Sequence, residues 1–129
     1  MIWYVAVGSA LGGVGRYLVA GWVQRIAGSS FPLGTLTVNV VGSLLVGFLL
    51  RYALDLPGIT AEMRALLTIG FCGGFTTFST FSYETMALLQ EGQWTRAAGY
   101  IVGSVVLSLG AAFMGFMMAH YLVGHTRPA

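Results

Sequence analysis

The chain has 129 residues, 57% of them hydrophobic and 8% charged, with a formal net charge of +2 and a mean hydropathy of +0.82. Soluble domains carry about 25% charged residues, so this composition excludes a soluble globular domain and marks an integral membrane protein. The six basic residues are all arginine and lie scattered along the chain, which argues against a nucleic-acid partner, because that would need a basic patch or stripe.

A membrane-spanning helix needs about 20 mostly apolar residues, and four stretches qualify. The first is expected over about residues 2–23, interrupted by Gly12-Gly13-Val14-Gly15-Arg16. It lacks a basic leading region and stays hydrophobic well beyond a short apolar segment, so it reads as an uncleaved span and not as a signal peptide. Arg16 is the costliest residue in it to bury. An intramembrane arginine either faces an interior or aqueous cavity or snorkels to the interface.

After a turn at Gly28-Ser29-Ser30-Phe31-Pro32 the second span is expected over residues 34–50. Thr35, Asn39, Ser43 and Gly47 follow one another by four and share a helical stripe, with Thr37 off it. The Asn39 amide can donate to an anion or bond to a neighbouring helix; the sequence leaves both open. Pro57-Gly58 marks the second turn.

The third span is expected over residues 63–89 and holds the run from Gly70 to Ser82, with three glycines, five hydroxyl side chains and Phe71, Phe75, Phe78 and Phe81 at helical spacing. Glycines weaken a helix, and the freed backbone groups are tolerated in a bilayer only where protein, water or an ion satisfies them. A phenylalanine stripe is ordinarily lipid-facing or core; interleaved with Thr76, Thr77, Ser79, Thr80 and Ser82 it reads as part of a site. Aromatic rings have a positive edge, suited to an anion path with weak binding. Glu84 would repel an anion and is assigned to packing or capping. Cys72, the single cysteine, reads as a small packing residue.

The fourth span is expected over residues 97–122, where Ser104 and Ser108 share a face that can line a wet path or bond back to the helix. His120 and His125 lie five apart and miss the four-residue metal spacing, and no catalytic motif is present. With four spans, Arg51, Arg64 and Arg127 fall on one side and Arg25 and Arg96 on the other. That near-balance gives little orienting bias and would permit an antiparallel homodimer. Small residues four apart (Gly8 and Gly12, Ser43 and Gly47, Gly99 and Gly103) suit close helix packing, within or between subunits. A path through four helices alone would be cramped, which favours an oligomer.

The whole chain closely resembles the Fluc fluoride channels, the CrcB family. The match is carried by Gly15-Arg16-Tyr17 in the first span, Gly34 to Ser43 in the second, and Gly70 to Ser82 followed by Glu84 in the third. The resemblance implies an all-α integral membrane protein in a single domain over residues 1–129. Each subunit has four transmembrane helices with a broken third, paired as an antiparallel dual-topology homodimer with two fluoride pores. It implies passive export of cytoplasmic fluoride across the inner membrane of a bacterium. Phe78 and Phe81 then match the paired pore phenylalanines and Asn39 the pore asparagine. Ser79 and Thr80 match a polar track that Thr37, Ser104 and Ser108 extend, and Arg16 matches a vestibule arginine. Gly73 and Thr76 match the break positions whose carbonyls hold a structural Na+ at the dimer interface. Tyr83 is bulkier than the resemblance leads one to expect. A proton-coupled small multidrug exporter shares the span count but needs an acid in the first span, which has none. A non-transporting subunit of a larger complex is the remaining alternative.

Overall fold

The computed structural model describes residues 1–126 as an all-helical protein, so Arg127 lies outside the described residues. Helix α1 is Ile2–Ala27, α2 is Leu33–Asp55, α3 covers residues 61–75, α4 is Phe78–Gln90 and α5 is Trp94–Thr126. Helices α3 and α4 are the two halves of one span, Ala61–Gln90, so four elements are long and apolar enough to cross a membrane. Within α3, a short α-helical start at Ala61–Arg64 gives way to wider π-helical turns over Ala65–Cys72, then to Gly73–Phe75.

The first helix is not interrupted at Gly12-Gly13-Val14-Gly15, as expected from its glycines, but runs unbroken to Ala27. It stops at Gly28, whose left-handed backbone (φ 59°, ψ 20°) suits a residue without a side chain. The Gln24 side chain then folds the turn: its amide nitrogen donates to Ser29 O (2.6 Å) and Phe31 O (3.0 Å), and its oxygen accepts from Gly34 N (3.0 Å). Helix α2 continues past Arg51, which pairs with Asp55 one turn on (2.7 Å). Its end is closed by Arg64, donating to Ala53 O at 2.9 Å. Helix α5, with 33 residues, is about 50 Å long and overreaches a hydrocarbon core of about 30 Å.

Lipid offers apolar helices no hydrophobic reason to associate, so close packing and hydrogen bonds must hold them. Glycine supplies the packing at two seams. Gly8 and Gly12 set α1 parallel to α3: a Cβ on Gly8 would run into Leu66 O, and one on Gly12 into Phe71 O. Gly47 and Gly115 do the same for antiparallel α2 and α5, against Ala112 O and Leu44 O. Gly99 and Gly103 have no such neighbour within the subunit. A buried cluster of Leu88, Ala97 and Tyr100, flanked by Phe31 and Phe81, joins α4 to α5.

Candidate functional site

The break falls at Thr76 and Thr77, whose extended backbones (φ −85°, ψ 157° and φ −149°, ψ 117°) separate α3 from α4. Gly73 and Gly74 remain helical, so the opening lies just beyond the paired glycines. Asn39 on α2 fills the opening. The Asn39 side chain accepts from Thr77 N (2.7 Å) and donates to Thr77 O (3.1 Å), taking the amide that in a continuous helix would close on Gly73 O. The Thr77 hydroxyl then starts α4, accepting from Thr80 N at 3.1 Å and lying 3.2 Å from the Ser79 hydroxyl. From α1, Arg16 Nη1 donates to Thr76 O at 3.3 Å. The break thus has donors from two other helices, as backbone freed in a bilayer requires.

Beside it lies a groove of about 500 Å³. Its walls come from α2 (Asn39, Ser43), the break (Gly73, Thr76, Thr77), α4 (Phe78, Phe81) and α5 (Ser104, Ser108). No ionised side chain is part of the lining among the described residues. Ser104 is 7% exposed, and its hydroxyl has no hydrogen-bond partner. By contrast the hydroxyls of Thr68 and Thr76 bond back to Arg64 O (2.8 Å) and Cys72 O (3.0 Å). A wall of neutral donors and aromatic rings offers a small ion weak contacts and no fixed charge to trap it.

The ring pair is held from behind. Phe78 and Phe81 lie 5.4 Å apart between centroids, and Phe81 lies 5.1 Å from Tyr100. Tyr100 is 1% exposed and donates to Glu84 Oε2 at 2.6 Å, while Thr35 donates to Glu84 Oε1 at 2.7 Å. Both carboxylate oxygens are therefore used in tying α2, α4 and α5 together, the packing role expected of Glu84. Phe31 meets Tyr100 edge-on at 5.6 Å, and Arg96 sits over Phe31 at 5.7 Å.

The structure brings Asn39, Gly73, Thr76, Phe78, Phe81, Ser104 and Ser108 to the groove. It does not bring Thr37, Ser79, Thr80 or Arg16 to that wall. The Thr37 hydroxyl bonds back to Leu33 O at 2.8 Å, Ser79 and Thr80 belong to the Thr77 cap, and Arg16 reaches the break. Tyr83 is exposed. His120 lies 3.1 Å from Arg51. Two residues have roles that the sequence pattern does not assign. Thr77 is the hub of the break, and threonine is itself a favoured N-cap residue. Tyr100 has no local signal, since its role depends on how α5 registers against α4.

Gly73 O, which Asn39 deprives of its helical donor, and Thr76 O, which accepts one bond from Arg16, are hard oxygen donors with lone pairs to spare. Such a pair is of the donor type that suits a hard monovalent cation. Gly73 lies on the exposed side of the break.

A family model described as CrcB-like protein, Camphor Resistance (CrcB), matches residues 3–116. Among curated relatives, the fluoride-specific ion channel FluC of Geobacter metallireducens is 49% identical over 118 residues, covering 92% of this chain and 95% of the relative. The protein of the same name from Geobacter sulfurreducens is also 49% identical over 118 residues, with the same coverage. That of Thermus thermophilus is 48% identical over 120 residues, 93% of this chain and 94% of the relative.

Proposed function

The chain belongs to the CrcB family, and we propose that it is a passive fluoride-selective channel that releases cytoplasmic fluoride and so relieves fluoride toxicity. It is a multi-pass bacterial membrane protein with four apolar helices long enough to span. The observation that carries the reading is the uncharged groove running past the broken helix, walled by an amide, hydroxyls and the Phe78–Phe81 pair. The relatives' names supply the ion. Fluoride enters a cell as its neutral acid from acidic surroundings and ionises inside, and a passive pore lets it leave. The wall suits such a pore. The Ser104 hydroxyl is free to donate, positive ring edges attract weakly, and neither holds the anion long enough to stop flow.

The conducting unit we propose is an antiparallel homodimer with two pores. The exposed ring of Phe78 (80%) and the open side of the groove support it, because a single subunit leaves the path unenclosed. Near-equal arginine counts on the two sides support dual orientation. At the centre of that dimer, Gly73 O and Thr76 O of each subunit would hold a structural Na+, a charge that satisfies carbonyls a broken helix leaves unpaired in lipid.

Purified protein in liposomes tests the function. It should release loaded fluoride, and little chloride, with no proton or sodium gradient imposed. Fluoride release no faster than from protein-free liposomes would refute it.

A further inference from the structure

Arg16 approaches the break in a way a vestibule residue need not. Its guanidinium donates to Thr76 O, one of the two carbonyls per subunit assigned to Na+. No carboxylate pairs with Arg16 among the described residues. Helix α1 is pinned to α3 at Gly8 and Gly12, which fixes the depth at which Arg16 meets the break.

We propose that Arg16 is a tethered cation that shares the Thr76 carbonyl with Na+, holding the break together when Na+ is absent and weakening Na+ binding when it is present. The inference rests on the sodium assignment above. A carbonyl oxygen has two lone pairs and can serve both partners at once. Two positive charges facing one oxygen nevertheless repel, and in a partly buried site that repulsion is little screened by salt. Arg16 thereby sets the Na+ concentration the protein needs.

The test follows thermal unfolding of purified wild type, Arg16→Gln and Arg16→Lys across an Na+ titration, with choline replacing Na+ to hold ionic strength. Glutamine keeps an N–H donor and loses the charge; lysine keeps the charge. The half-saturating Na+ concentration should fall about tenfold in Arg16→Gln, equivalent to about 1.4 kcal/mol, and change by less than about twofold in Arg16→Lys. A half-saturation in Arg16→Gln equal to that of wild type overturns the proposal and leaves the sodium assignment standing. No Na+-dependent stabilisation in any of the three overturns both. Should Arg16→Gln not fold, the wild-type Arg16 guanidinium 15N resonances decide. They should shift with the same half-saturation as the unfolding temperature, and resonances indifferent to Na+ overturn the proposal.

Discussion

Replacing Asn39 by alanine removes both bonds that hold the break open, the 2.7 Å contact from Thr77 N and the 3.1 Å contact to Thr77 O. Thr77 is 6% exposed, so with Asn39 in place its backbone groups depend on that side chain and not on bulk water. Interhelical hydrogen bonds in membranes contribute about 0.6–1.7 kcal/mol each, and a buried backbone group left unpaired costs about 1–3 kcal/mol. Two such bonds and one unpaired group put the loss for Asn39→Ala at about 2–6 kcal/mol. The Asn39→Leu variant keeps the volume and loses both bonds, so it should fall in the same range if hydrogen bonding, and not packing, is the cause. Reversible denaturant unfolding in detergent measures the loss. Hydrogen exchange at the Thr77 amide should accelerate in parallel. A loss under about 0.5 kcal/mol, with unchanged Thr77 exchange, would refute the claim that Asn39 holds the break.

Three further outcomes follow from the packing and the bonds. Gly12→Ala drives a Cβ into Phe71 O and should cost about 1–3 kcal/mol in unfolding, whereas Gly13→Ala, with nothing within 4 Å, should be neutral or slightly stabilising. Glu84→Gln turns one acceptor into a donor facing a hydroxyl that already donates, and should cost about 1–3 kcal/mol. A cycle with Tyr100→Phe should show coupling between the two sites. Ser104→Ala removes a hydroxyl that has no partner, so unfolding should stay within about 0.5 kcal/mol of wild type while liposome fluoride efflux slows.

What the sequence showed and hid divides by whether a feature is local. Hydropathy located four spans to within a few residues of their ends, and Gly28 and Arg64 show why the helices run further than apolar character alone suggests. The paired glycines in the third span pointed to a break, yet Gly73 and Gly74 stay helical and Thr76-Thr77 open. The deciding contact comes from Asn39, 38 residues away. The same ambiguity made Gly12-Gly13 look like an interruption. Glycine marks either a broken helix or a close neighbour, and only the partner backbone distinguishes them. Gly99 and Gly103 have the spacing of Gly8 and Gly12 but no seam within the subunit. On sequence Asn39 suits either an anion donor or an interhelical bond; the second is present, and the amide still faces the groove. The sequence marks Arg16 as a cation within a span but hides its partner at Thr76, because that depends on the depth at which α1 meets α3. The widened turns of Ala65–Cys72 had no sequence signal.

The central claim is that the groove beside the broken helix passes fluoride, and Phe81 is the residue that joins the groove to its buried support. Fluoride efflux from liposomes carrying wild type or Phe81→Ile, at matched protein content and with folding verified, measures this most directly. Wild type should release fluoride rapidly, and Phe81→Ile at least tenfold more slowly (about 1.4 kcal/mol in barrier). Equal fluoride release from both proteins would contradict the claim.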